Sequence, residues 1–248
     1  MRLLKDEGHG ILSLVEKHDS AIPQYAILSH TWGAEEVTFK DVVEGTGKNK
    51  AGYEKIEFCR KQASSDGLSY FWVDTCCIDK SSSAELSEAI NSMFRWYQNA
   101  DKCYAYLSNV STSGHTTDPQ LLQTTWIEVF RNSRWFFRGW TLQELIAPAS
   151  VEFFSREGNR LGSKKSLEQD IHETTGIAVE ALRGGSLLDF TVEERMSWAN
   201  RRKTERPEDE AYALLGIFNI RMRPDYGEGK RNAFERLQRK IEKSLNRK

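Results

Sequence analysis

Three short segments of this 248-residue chain place reactive side chains where apolar runs stop. Tyr25-Ala26-Ile27-Leu28-Ser29-His30-Thr31-Trp32-Gly33 ends on a hydroxyl, an imidazole and an indole. Phe71-Trp72-Val73-Asp74-Thr75-Cys76-Cys77-Ile78-Asp79 ends on carboxylates and thiols. Arg138-Gly139-Trp140-Thr141-Leu142-Gln143-Glu144-Leu145 sets an indole four residues before a carboxylate, so that on a helix both lie on one face. Core segments alternate or repeat at helical spacing. A run that passes from apolar character straight into groups that bind or react is the pattern of a site on loops.

Glu144 carries the sharpest chemistry. Flanked by Trp140, Leu142, Leu145 and Ile146, its carboxyl is expected to be partly desolvated, which raises its pKa and makes the ionised form a strong partner for a developing cation. The plainer reading is an ion pair with Arg138 that fixes the turn. Asp74, at a strand end, suits a ribose hydroxyl or the cap of the next turn. His30 suits acid–base work or a hydrogen-bonded packing role. Trp32 and Trp72 read as pocket wall or core, and Cys76 and Cys77 as small buried groups. A Cys–His hydrolase would pair Cys77 or Cys76 with His30. Gly47 to Gly52 has phosphate-loop spacing but continues Tyr53-Glu54 where Lys and Ser or Thr are required, so that chemistry is set aside.

The elements that must hold these groups are short strands alternating with helices. Ile22 to Ser29 reads as a first strand, with Pro23 at its start where a missing N–H is tolerated. Tyr70 to Asp74, Cys103 to Leu107 and Val151 to Ser155 follow as strands of a mostly parallel, flavodoxin-like sheet. Helices are expected over Tyr53–Ser64, over Leu86 to Tyr97 behind a Ser82/Glu85 capping box, over Leu121–Phe130 and over Trp140–Ile146. A polar surface loop is placed at Ser108–Pro119. Beyond Ser155 the pattern changes to helices only, at Ser166–Thr175, Thr191–Asn200, Glu208–Gly216 and Gly229–Leu245, with capping-box spacing at Ser166/Gln169 and Thr191/Glu194. The division expected is an α/β core over 1–155 and a helical annex over 156–248, with no Pro/Gly/Ser linker to make the annex independent. In open parallel sheets ligands bind beyond the carboxyl ends of the strands, which puts Ser29, His30, Trp32 and Asp74 at one crevice.

The totals narrow the function classes. Net charge is −1, from 35 Lys+Arg against 36 Asp+Glu, which offers no field for gripping nucleic acid or an anionic membrane. The four cysteines show no zinc-type spacing, and no metal site is expected. No apolar run nears the ~18 residues of a membrane span, and charge interrupts the N-terminus too early for a signal peptide. A cytoplasmic protein with reduced thiols is the expectation.

At these residues the sequence resembles the heterokaryon incompatibility (HET) domain of filamentous fungi, close to the N-terminal domain of vegetative incompatibility proteins. The resemblance is carried by Tyr25 to Gly33, Trp72 to Tyr97 and Arg138 to Leu145 in order, with support from Pro148–Ser155, Leu182-Arg183 and Tyr212 to Ile217. Where the family more often has Cys-Ile-Asn-Gln this chain has Cys77-Ile78-Asp79-Lys80, so no binding role passes to Asp79. The resemblance implies an effector of regulated cell death in non-self recognition. It also implies self-association, and further nucleotide-binding oligomerisation and repeat modules in a longer protein. A distant relation to Toll/interleukin-1 receptor-like domains, some of which cleave NAD, implies NAD as a candidate substrate with no tightly bound cofactor. It puts Glu144 in the catalytic role of a W-x-x-x-E pattern with Trp140, and Ser29, His30, Trp32, Asp74, Cys77 and Arg138 around the ligand. The alternatives are a death-signalling module working by homotypic assembly and, further off, a metal-dependent nuclease.

Overall fold

Seven strands form one mixed sheet in the order β2-β1-β4-β3-β5-β6-β7, in a computed structural model that describes residues 1–113 and 126–246. The strands are β1 (Arg2–Asp6), β2 (Leu12–Glu16), β3 (Ala26–His30), β4 (Tyr70–Trp72), β5 (Lys102–Leu107), β6 (Val151–Ser155) and β7 (Arg160–Ser163). The inner strands β4, β3, β5 and β6 run parallel, and every residue of β3 is buried, as in a strand covered on both faces. The outer strands β1, β2 and β7 run antiparallel to their neighbours. The expected mostly parallel sheet is therefore corrected to a parallel centre with antiparallel edges.

Those edges are what the sequence pattern hides. The β1–β2 hairpin turns through Gly8, His9 and Gly10, at φ 87°, 54° and 72°, where glycine has no Cβ penalty. β7 lies beyond Ser155, where helices alone are expected. Arg160-Leu161-Gly162-Ser163 is too short and polar to announce a strand, and the free edge of β6 pairs it. β3 starts at Ala26 and not at Ile22, because Pro23 has no N–H and Tyr25 spends its own on the Asp101 carboxylate at 3.1 Å.

Helices cover both faces. They are α1 (Phe39–Glu44), α2 (Tyr53–Ser65), α3 (Asp74–Cys77), α4 (Ser83–Gln98), α5 at residues 126–131, α6 (Thr141–Ile146), α7 (Glu168–Thr175), α8 (Val179–Leu182), α9 (Val192–Ser197), α10 (Asp209–Tyr212) and α11 (Gly229–Leu245). Half of the helix expected at Leu121–Phe130 and part of the loop at Ser108–Pro119 lie outside the described residues. Thr191 and Glu194 form the full capping box. Ser82 accepts from the Glu85 N–H at 3.3 Å, but the Glu85 carboxylate pairs with Arg2 at 2.6 Å, so that box is half made. Ser166 caps no helix; its hydroxyl accepts from Ser163, and α7 begins at Glu168.

The C-terminal half packs on α4 and α6. α11 buries Ala233, Leu237 and Ile241 at successive four-residue steps. Gly216 lies so close to Phe94 of α4 that an added Cβ would stand 2.1 Å from the Phe94 Cβ. Among the described residues no helix is long and apolar enough to cross a membrane.

Candidate functional site

Neighbouring side chains on a strand point to opposite faces, so the end of β3 serves two polar groups at once. On one face the Ser29 hydroxyl donates to Glu144 Oε2 at 2.5 Å and accepts from Trp135 Nε1–H at 2.8 Å. On the other, His30 Nε2 meets Asp74 Oδ1 at 3.0 Å while Nδ1 faces the Lys55 ammonium at 3.4 Å. An ammonium has only donors, so Nδ1 accepts and Nε2 carries the proton toward Asp74. Trp32 Nε1–H and the Lys80 ammonium reach the second Asp74 oxygen at 2.9 and 3.3 Å.

Glu144 is brought here by α6, whose entrance is braced from several sides. The Thr141 hydroxyl donates to the Trp135 carbonyl at 2.5 Å, and Arg202 Nη1 donates to Thr141 Oγ1 and the Arg138 carbonyl at 2.9 and 3.0 Å. Gly139 admits the 203–204 segment alongside: its N–H donates to the Lys203 carbonyl at 2.9 Å, and an added Cβ would sit 2.4 Å from Thr204 Cγ2. At the other end the buried Lys164 ammonium donates to the Leu145 and Pro148 carbonyls at 3.1 and 2.6 Å, satisfying the last turn of the helix. Burial pulls the Lys164 pKa down to about 8.

The result is a cavity of about 260 Å³ beyond the carboxyl ends of β3 and β4, lined by His30, Trp32, Asp74, Trp140 and Glu144 among others. That is near the lower limit of small-molecule sites, roughly 300–1,000 Å³. Glu144 is 7% exposed. Burial pushes its carboxyl up to about 8, with the Asp74 charge adding to the rise and the Ser29 hydroxyl, Tyr97 and Arg202 opposing it. Burial also works to raise Asp74, but Lys80 and His30 outweigh it and hold that carboxyl well below the usual range. Two carboxyls on one cavity are thus driven in opposite directions, one ready to stay neutral and one firmly ionised.

Several expectations change. Glu144 does not pair with Arg138, whose guanidinium bonds Glu205 at 2.8 Å instead. Arg138 nevertheless lines the cavity. Ser29 is fully buried beneath Glu144 and does not line the cavity, so it positions the carboxyl and cannot touch a ligand. Cys77 also stays away. Its thiol accepts from the Val73 N–H at 3.5 Å, and burial pushes it up to about 12. Cys76 donates to the Val37 carbonyl at 3.3 Å and is likewise raised by burial, so neither thiol serves as a nucleophile to His30. All four cysteines are free and buried.

Other lining residues escape sequence reasoning. Leu86, Ile90, Met93 and Tyr97, the apolar stripe of α4, form one wall. Asp209, Arg206 and Tyr226 form another, with the Tyr226 hydroxyl donating to Asp209 Oδ1 at 2.9 Å. A stripe at helical spacing reads as core in any sequence, and no local motif marks Asp209. Among the described residues no three His, Cys, Asp or Glu side chains gather as a metal ion would require.

Comparison with known proteins bears on this arrangement. The family described as Heterokaryon incompatibility protein (HET) matches residues 25–124, which contain Ser29, His30, Trp32 and Asp74 and stop short of Glu144. The chain is similar to Vegetative incompatibility protein HET-E-1 of Podospora anserina, at 55% identity over 246 residues. The match covers 98% of this chain and 18% of that protein. No solved structure matches the chain.

Proposed function

The chain belongs to the heterokaryon incompatibility family, and on that premise we propose that it is an effector of fungal non-self recognition that triggers cell death by hydrolysing NAD at its nicotinamide–ribose bond. The observation that carries the reading is Glu144, buried, held by Ser29 and lining one cavity with Trp140, His30 and Asp74. The order of the four parallel strands, second-first-third-fourth in the chain, is that of flavodoxin-like sheets, whose ligands bind at the strand ends where this cavity lies. Trp140 and Glu144 have the W-x-x-x-E spacing of NAD-cleaving Toll/interleukin-1 receptor-like domains.

Nicotinamide leaves as a neutral molecule. The C1′–N bond breaks with its electron pair going to the ring nitrogen, water adds to C1′ and loses a proton, and ADP-ribose remains. No general acid is required, and the demand is for negative charge beside an oxocarbenium-like centre. Without a cation beside it, Glu144 holds its proton to about pH 8. A pyridinium ring placed against it favours the ionised form, so binding of the cation expels that proton and supplies the carboxylate when it is needed. The test is to incubate concentrated protein with NAD and follow nicotinamide release in wild type and Glu144→Gln. Release that continues at the wild-type rate in the variant removes Glu144 from the mechanism.

A second reading is a death-signalling module that assembles with copies of itself. It is favoured by β2, the outermost strand of the sheet, which leaves a free edge beside exposed Ile11. This reading expects toxicity to survive Glu144→Gln and to disappear when residues of β2 are replaced by proline.

A further inference from the structure

We infer that the cavity takes a ribosyl phosphate in one orientation, sugar inward and phosphate at the mouth, and that Lys80, Arg138 and Arg206 form the phosphate subsite. The inference rests on the nucleotide reading above and names the part of the ligand that reading leaves unassigned.

Charge is layered through this cavity. Its inner carboxyls are Glu144 and Asp209, 7% and 9% exposed. Its mouth carries three cations: Lys80 and Arg206 are exposed, and Arg138 is half-buried. Two of these are laid on aromatic faces. The Lys80 ammonium stands 3.5 Å from the centre of the Trp32 ring, and the Arg206 guanidinium 4.1 Å from that of Tyr226. A ring face holds a cation in place without cancelling its charge; the Lys80 ammonium also donates to Asp74 at 3.3 Å and keeps further N–H groups to share with an incoming anion. Arg138 commits one nitrogen to Glu205 and has further N–H donors in the same plane.

Such layering sorts ligands by where their charge lies. A free polyphosphate gains the rim but is repelled by the ionised Asp74 carboxylate on the same cavity. A bare nucleoside satisfies the interior and gains nothing at the mouth. A ribose bearing phosphate meets both layers, its hydroxyls donating to carboxyl oxygens while the phosphate reaches the rim. Asp209 is already fixed by Tyr226, so it accepts from a sugar hydroxyl without rearranging. Arg206 follows Ser155 in the chain whereas Lys80 and Arg138 precede it, so the phosphate subsite is shared between the two halves of the chain.

The test is calorimetric titration of the full chain with ADP-ribose, adenosine and inorganic pyrophosphate. None of these contains nicotinamide, so the result is independent of glycosidic cleavage. A chain that binds ADP-ribose yet leaves NAD intact keeps the subsite and loses the hydrolase. The expected result is ADP-ribose at least tenfold tighter than either fragment, with affinity falling as salt is raised. Arg206→Ala should weaken ADP-ribose at least tenfold, and Lys80→Ala should weaken it independently, each with a cooperative melting profile to show folding. Equal affinity for ADP-ribose and adenosine, equal affinity for pyrophosphate, or ADP-ribose binding untouched by both substitutions overturns the proposal.

Discussion

Ser29 and Glu144 are 115 positions apart in the chain and joined by a 2.5 Å hydrogen bond, with the serine as donor. Because the Ser29 oxygen already accepts from the Trp135 indole N–H, its single proton is directed at the carboxyl. That geometry supports the ionised form of Glu144 against the burial that opposes it.

Ser29→Ala removes the donor, so the Glu144 pKa should rise further above its already elevated value. The measurement is a carbon-13 titration of the Glu144 carboxyl in both proteins. An unmoved titration means that the hydroxyl does not support the carboxylate.

Glu144→Gln should stabilise the fold, and only on the alkaline side. The folded pKa lies above the ordinary one, so between 4.5 and about 8 the native state binds a proton that the unfolded state has released. Stability therefore falls as pH rises through that window, by up to roughly 1.4 kcal/mol for each pH unit. Glutamine abolishes this slope. Urea unfolding across the window should show the two proteins converging at the acid end and separating at the alkaline end, with the variant the more stable.

Asp74→Asn should have the opposite sign. The folded pKa is depressed, so the stability this carboxylate contributes is present above its ordinary value of 3.8 and is lost as pH falls through the folded pKa. Removing the charge strands the Lys80 ammonium and weakens the bonds from His30 and Trp32, at a cost of about 1–3 kcal/mol at neutral pH. The deficit should shrink as denaturation is repeated at progressively lower pH.

Gly139→Ala drives a methyl into Thr204, since the added carbon would sit 2.4 Å from its Cγ2. A loss of about 1–3 kcal/mol is expected. Thr204→Ser deletes the opposing methyl and should recover much of that loss in the double variant, which melting curves of the four proteins would measure. If the two substitutions add without rescue, the close approach is not what requires glycine there.

Much of the centre of the fold is legible in the sequence because its signals are local. The continuous apolar runs of β3, β5 and β6 mark strands buried on both faces, and Leu86, Ile90, Met93 and Tyr97 recur at helical spacing through α4. The edges are less legible, since β7 exists only because β6 offers it a partner. The desolvation of Glu144 can be anticipated from its apolar flanks, and so can its place beside Trp140. Its anchor cannot: nothing near residue 144 announces Ser29, and nothing near Arg138 announces Glu205. Asp209 and Arg206 are invisible for the same reason, since their place at the cavity depends on how the helices after Ser155 fold back over α4.

The elevated carboxyl of Glu144 has a consequence for heredity. A group that weakens the fold at neutral pH is one whose removal leaves a sturdier chain. Glutamine at this codon should accordingly yield an abundant, long-lived polypeptide, which would persist in the cell and compete for whatever surfaces the unaltered chain uses.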